Sequence, residues 1–81
     1  MNILMSEMQC QPRAAVRIRV NGEPREIAAG STLTALVEEL ELDPDRLAIE
    51  LDRKIVKRPS WSDQVLDDGS EVELVQFVGG G

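Results

Sequence analysis

The chain of 81 residues contains no histidine and no tyrosine, and its only cysteine is Cys10. Histidine is the commonest general base and the commonest neutral metal ligand, so its absence argues against an enzyme and against a metal site. A single cysteine cannot form a disulfide within the chain, which agrees with a reducing compartment. We treat Cys10 as incidental, because only Arg13 lies close enough in sequence to make its surroundings electropositive.

Long apolar runs and an excess of positive charge are also missing. No segment approaches the about 20 apolar residues of a membrane-spanning helix, and the N-terminus lacks the basic and then apolar pattern of a signal peptide. The net charge of -6 argues against a nucleic acid as partner, because phosphate backbones require a basic surface. We therefore predict a cytoplasmic protein that binds neither membranes nor nucleic acids and docks onto basic or mixed protein surfaces.

The first regular pattern is a β-hairpin. Residues 16–20 alternate apolar side chains with arginines, which is typical of a half-buried strand. Asn21-Gly22 follows and predicts a tight turn, since both residues tolerate a positive φ. Residues 25–27 are predicted to form the returning strand, with Pro24 at the turn or at an unpaired edge.

One amphipathic helix is predicted next. Ser31 or Thr32 can cap its N-terminus by accepting from a free backbone N–H. The apolar side chains that follow have the spacing i, i+3, i+4 and i+7 of a single buried stripe, formed by Leu33, Leu36, Val37 and Leu40. Pro44 is expected to end this helix, and Asp43-Pro44 can begin a short further turn.

The remainder of the chain predicts three more strands and no second long helix. The strands are 47–51, 55–56 and 71–78, and the turn 67–70 precedes the last of them. Trp61, in the connection, is interpreted as an anchor of that loop against the core. The pattern predicts an α+β fold, a ubiquitin-like β-grasp. Its mixed sheet of four to five strands carries one main helix on one face, and the last strand lies parallel to the first.

The domain boundaries follow from the same patterns. Residues 1–15 show no sustained period, which predicts a disordered N-terminal arm. Residues 16–78 form the β-grasp domain, and residues 79–81 form a flexible glycine tail. Glycine has no Cβ, so such a tail fits a narrow channel and leaves its carbonyl carbon unhindered.

The chain from residue 16 to residue 81 resembles a known family, the ThiS-type sulfur carriers of thiamine biosynthesis, within the wider ThiS/MoaD ubiquitin-like family. The resemblance rests on segments that occur in the family's order, although the N-terminal arm and a third glycine are additions to its pattern. The segments are 17–22, 32–37, 47–51, 55–58, Trp61, 66–75 and Gly80-Gly81.

The resemblance implies a chemistry at the C-terminal carboxylate of Gly81, with Gly80 beside it. In the family, this carboxylate is adenylated and converted to a thiocarboxylate, whose sulfur enters the thiazole of thiamine. The implied partners are a ThiF-type adenylyltransferase, a ThiG-type thiazole synthase and a sulfur donor such as a cysteine desulfurase. ATP and Mg are used by the adenylating partner, and the chain is a protein co-substrate with no bound cofactor rather than an enzyme.

A docking surface is predicted just before the tail. If Val72 and Leu74 face the helix, Val75 and Phe77 fall on the opposite face of the sheet, where no second helix covers them. An exposed apolar patch at that place is typical of an interaction site. We therefore predict partner contacts at Val75, Phe77, Val78 and Gly79.

Three alternatives remain open from the sequence. The small subunit of molybdopterin synthase shares the predicted fold and the Gly-Gly end, but that family tends to be longer. A ubiquitin-like binding module or protein modifier would not carry sulfur and would be indifferent to the terminal carboxylate. A small enzyme built from carboxylates would show turnover by the isolated chain.

Overall fold

The computed structural model describes residues 15–78. The tail residues Gly79, Gly80 and Gly81 lie outside the described residues, as do Cys10 and the predicted arm up to residue 14. Ala15 already belongs to the first strand, one residue before the predicted boundary, because it pairs with Ala28 across the hairpin.

The described residues form a five-stranded mixed sheet in the order β2-β1-β5-β3-β4. The last strand β5 runs parallel to β1, and the other neighbours are antiparallel. One α-helix covers one face, so the predicted β-grasp is confirmed. The strands are Ala15–Val20 (β1), Glu23–Ala28 (β2), Leu47–Leu51 (β3), Lys54–Val56 (β4) and Glu71–Gln76 (β5).

The helix α1 spans Leu33–Glu39, and its first turn is capped as predicted. The Thr32 hydroxyl accepts from the Ala35 N–H at 3.1 Å, which satisfies one of the free donors at the helix start. Two short 3-10 helices follow in the connections, Pro44–Arg46 and Arg58–Asp63. No helix within residues 15–78 is long and apolar enough to cross a membrane.

The helix ends earlier than Pro44, so the predicted stop signal was wrong. Glu41 takes a left-handed conformation with φ 58° directly after the C-cap Leu40. The Leu42 N–H then donates to the Val37 carbonyl and the Glu41 N–H to the Glu38 carbonyl, each at 3.1 Å. These two bonds form a Schellman motif, which closes the helix before the proline is reached.

Replacing Glu41 by glycine is expected to raise the free energy of unfolding by about 0.5–1 kcal/mol. A left-handed residue with a Cβ costs about 1–2 kcal/mol, which glycine avoids. Glycine is more flexible in the unfolded chain, and this reduces the gain in stability by about 0.5–1 kcal/mol. Urea unfolding measures the difference. The matched control is Glu38→Gly, which removes the same charge from inside the helix and should lower the free energy of unfolding by about 1 kcal/mol. If both variants were more stable, or both less stable, than the unchanged chain, the assigned role of Glu41 would be contradicted.

The core lies between α1 and one face of the sheet. It contains the apolar stripe of the helix, the inward residues of the strands and two residues of the long connection. Trp61 is buried there, as expected for an anchor, and its Nε1–H donates to the Val56 carbonyl at 2.8 Å. The buried residues are Ile18, Ile27, Leu33, Leu36, Val37, Leu47, Ile49, Leu51, Trp61, Leu66 and Val72.

The last strand is shorter than the predicted 71–78. It ends at Gln76 because its neighbour β3 begins at Leu47, the residue that pairs with Gln76. One further backbone bond follows, from the Phe77 N–H to the Arg46 carbonyl at 2.8 Å. Regular pairing therefore stops just before the glycine tail.

Candidate functional site

The end of β5 is the place where the fold presents the C-terminal segment. β5 lies in the middle of the sheet, between β1 and β3. Its alternate residues point to opposite faces: Val72 is buried under the helix, whereas Val75 is 53% exposed on the face without a helix. We call this second face the outer face of the sheet. Phe77, two residues further along, is 57% exposed.

The start of β5 is anchored by two neighbouring turns. The Glu71 N–H donates to Asp52 Oδ1 at 2.9 Å, and the Asp52 N–H donates to the Glu71 carbonyl at 2.7 Å. On the other side, Asp68 Oδ1 accepts from the Arg17 N–H at 2.8 Å. Ser70 is buried, and its hydroxyl accepts from the Asp67 N–H at 3.0 Å. These contacts set the position at which β5 enters the sheet.

Further along β5, the side chain of Asn21 makes the hydrogen bonds that the backbone of a longer β1 would make. β1 ends at Val20, so no backbone of β1 remains to pair with Leu74. The Asn21 carboxamide instead accepts from the Leu74 N–H at 2.8 Å and donates to the Leu74 carbonyl at 3.3 Å. One amide thus satisfies both backbone groups of the residue that precedes the outward Val75.

We expect Asn21→Gly to lower the free energy of unfolding by about 1–2 kcal/mol, since each lost hydrogen bond contributes about 0.5–1.5 kcal/mol. Glycine keeps the positive φ of 52° at this turn, so the change tests the amide and not the backbone conformation. Hydrogen exchange should accelerate at the Leu74 amide. The control Asn21→Asp keeps the acceptor for the Leu74 N–H and should protect that amide better than glycine does; equal exchange in both variants would refute the proposed pairing.

The chain leaves the sheet after Phe77. The last backbone bond in the described part of the chain is the one from Phe77 to Arg46, and Val78 is 90% exposed. The exposure expected at Val75 and Phe77 is therefore observed, and Val78 is exposed as well, while the role of all three in partner binding stays a prediction. The predicted reacting residues Gly80 and Gly81, and the predicted contact Gly79, lie outside the described residues.

The outer face also carries an acidic pair, Glu50 and Glu73. These two residues stand directly opposite each other on β3 and β5, where side chains have Cβ atoms about 4.5–5.5 Å apart. The ion pairs found within residues 15–78 involve other acids, namely Glu26, Glu39, Asp43 and Asp45. Neither Glu50 nor Glu73 therefore has an ion-pair partner within residues 15–78.

The loop cations do not form a site of their own. Arg58 pairs with Asp45 across the two 3-10 helices, while Arg53, Lys54 and Lys57 are exposed. Exposed cations of this kind are usually solvated surface charges. Among the described residues, no three His, Cys, Asp or Glu side chains come together as metal ligands would.

Known proteins are similar to this chain over most of the described domain. A model of the ThiS family matches residues 18–81. The chain belongs to the ThiS family. The sulfur carrier protein ThiS of Escherichia coli K12 is 30% identical over 66 residues, a match that covers 82% of this chain and 100% of that protein.

A solved structure and two longer proteins extend the comparison. A crystal structure of a ThiS thiamine biosynthesis protein from Geobacter metallireducens aligns with a TM-score of 0.71 and 28% identity, over 82% of this chain and 100% of its own. Thiazole synthases from Magnetococcus marinus and Paramagnetospirillum magneticum are each 36% identical over 66 residues. Those matches cover 82% of this chain but only 20% of each thiazole synthase, so this ThiS-family chain spans about a fifth of their length.

Two features of the site were not predicted from the sequence. Asn21 was expected only as a turn residue, and its partner Leu74 lies 53 positions away. Glu50 and Glu73 were read only as polar residues of their own strands. An explicit pairing of the strands 47–51 and 71–78 would have been needed to place them opposite each other.

Proposed function

We propose that this chain is the sulfur carrier for the thiazole moiety of thiamine and that the carboxylate of Gly81 carries the sulfur. The observation that supports this most strongly is the family match, which runs to residue 81 and therefore includes the Gly80-Gly81 end. The exposed Val75, Phe77 and Val78 add support, because they lead from the sheet directly into that end.

The proposed chemistry has two steps, each catalysed by a partner enzyme. A carboxylate is a poor acyl donor, so one of its oxygens first attacks the α-phosphorus of ATP, and pyrophosphate leaves. A sulfur nucleophile at the oxidation level of sulfide then attacks the acyl carbon of the adenylate, and AMP leaves. The product is a thiocarboxylate at Gly81, whose sulfur is ready for transfer.

In this proposal, the chain is a co-substrate and its partners supply the catalytic groups. The adenylating partner, of the ThiF type, binds ATP and Mg. A cysteine desulfurase or a similar donor supplies the sulfur as a protein persulfide, and a thiol releases it at the oxidation level of sulfide while a disulfide forms. A thiazole synthase of the ThiG type consumes the sulfur. Three glycines suit this work, since one tail must enter different active sites without a side chain to obstruct it.

The outer face gives the proposed complexes a docking surface. Val75 and Phe77 can bury apolar area against a partner while the tail reaches past them into the active site. Ordering the tail costs about 1–2 kcal/mol for each residue, which keeps the complex short-lived. A carrier that moves from one enzyme to the next requires such a transient complex.

The names of the similar proteins favour the thiazole pathway over molybdopterin synthesis. Two of them are called thiazole synthase, and a third is called a sulfur carrier protein of the ThiS type. A ubiquitin-like module without sulfur chemistry gains no specific support from the structure or from these names. The thiazole pathway is therefore the favoured function.

The test is an intact-mass measurement of the chain. It is incubated with ATP, Mg, the adenylyltransferase of the same organism and a sulfide source. The mass should rise by the difference between a sulfur and an oxygen atom, and the rise should require ATP. An unchanged mass, in a reaction where the same enzyme charges a known carrier, would contradict the proposal.

A further inference from the structure

We propose that the acidic pair Glu50 and Glu73 accepts a cationic side chain of the thiazole synthase, and that an arginine fits best. The pair would thereby determine which protein surface binds to the outer face. The inference rests on the proposed function, since it concerns the partner to which the tail is delivered. The occupant of the outer face is a protein surface with a positive charge set among apolar side chains.

The position of the acidic pair within the sheet is unfavourable for the free chain. Like charges directly opposite each other on neighbouring strands destabilise a sheet, and no cation of residues 15–78 forms an ion pair with either carboxylate. The site is also close to the centre of the sheet, because β5 and β3 both have strands on either side. A stability role therefore does not account for the pair.

The neighbours of the acidic pair are apolar on two sides, towards β4 and towards the C-terminal end of β5. Ile55, which is 74% exposed, stands directly opposite Glu50 on β4. Ala48 and Val75 form the next outward pair along β3 and β5, towards the tail. On these two sides the outer face presents two carboxylates beside apolar side chains. On the β1 side, Arg19 and Glu71 line the same hollow as Glu73, and Arg19 donates to the Gly22 carbonyl at 3.2 Å.

Charge complementarity decides which partner surface fits. Docking on Val75 and Ile55 removes water from the carboxylates between them, and a buried charge is costly unless it is paired. A wholly apolar partner would leave both charges unpaired, and an acidic partner would add repulsion. A guanidinium fits best, because its planar fork donates to two carboxylates and its faces tolerate apolar neighbours.

The thiazole synthase is the partner to which this surface is assigned. In the two similar proteins of that name, a segment like this chain makes up a fifth of a single polypeptide. A contact between such a segment and the rest of that polypeptide is then favoured by a high effective concentration. For this chain, we expect surface complementarity and attraction between opposite charges to set the strength of the contact.

The experiment measures binding of the full chain to the thiazole synthase of the same organism at two salt concentrations. The double variant Glu50→Gln with Glu73→Gln should bind about tenfold more weakly at low salt, with a smaller loss at high salt. The charge-matched control changes Glu38 and Glu41 to glutamine, both exposed on the helix side; it should bind as the unchanged chain does.

A second readout separates a binding role from a structural one. Removal of like-charge repulsion should raise the melting temperature of the free double variant by about 2–4 °C. Weaker binding together with higher stability supports the inference. A lower melting temperature would indicate a structural role and overturn it, as would binding equal to that of the unchanged chain.

The same preparations distinguish failure of the inference from failure of the proposed function. If the unchanged chain gains sulfur in the mass test but the double variant binds normally, only the inference is overturned. If the chain gains no sulfur, the proposed function fails and the inference fails with it. A dimer of the free chain that the double variant abolishes would place a second copy on the outer face and would also overturn the assignment.

Discussion

Conversion of the Gly81 carboxylate to a carboxamide is expected to abolish sulfur uptake completely. The carboxamide has no anionic oxygen to attack the α-phosphorus of ATP, so neither the adenylate nor the thiocarboxylate can form. The folded domain should be unaffected, because the change lies beyond the last described backbone bond, from Phe77 to Arg46. Intact mass and pyrophosphate release, measured on the same sample, report the two steps separately.

Two controls make this result specific. A chain assembled by the same peptide ligation but with a free carboxylate should gain sulfur normally. A chain shortened by one glycine still ends in two glycines after Val78, and we expect it to remain a substrate. Sulfur uptake by the carboxamide would place the reacting group elsewhere in the chain and refute the proposed site.

A second large effect is expected in the core, where Ile49→Ala should destabilise the domain by about 2–5 kcal/mol. Ile49 is 1% exposed and lies on β3, next to the central strand. Its truncation removes apolar contacts and leaves a cavity between sheet and helix. Native domains are stable by only about 5–15 kcal/mol, and a domain this small has little reserve. Urea or thermal unfolding measures the loss.

The matched control for Ile49 is Ile55→Ala on the neighbouring strand. The residue type and the truncation are the same, but Ile55 is 74% exposed and faces outward. We expect a loss below about 1 kcal/mol, the range of surface and strand-propensity effects. Similar losses at both positions would show that the assignment of inner and outer faces is incorrect.

The two faces of the sheet therefore serve different purposes. The inner face holds the domain together through residues such as Ile49 and Val72, while outer-face residues such as Val75 and Ile55 are exposed and lie outside that core. Residues retained for binding are commonly suboptimal for stability. The proposed gain in melting temperature on removal of the acidic pair is an instance of this trade-off.

Periodic patterns and turn chemistry were sufficient for most of the secondary structure. The alternation in 47–51, the Asn21-Gly22 turn and the Thr32 cap depend on neighbours within a few residues, and all three are found in the structure. The helix end was predicted wrongly for the same local reason. Pro44 is a stop signal that can be recognised in the sequence. Glu41 gives no such signal, because the left-handed conformation that it adopts is usually taken by glycine or asparagine.

The fold class, the family resemblance and the proposed reacting end could be inferred from the amino-acid sequence, because they depend on local periodicity and on the order of short segments along the chain. The hydrogen bonds between Asn21 and Leu74, the position of Glu50 opposite Glu73 and the point where pairing of the last strand stops became known only from the folded domain. These three features depend on strand register. Register joins residues that are distant along the chain, and it is set by how the inner apolar residues pack together against the helix.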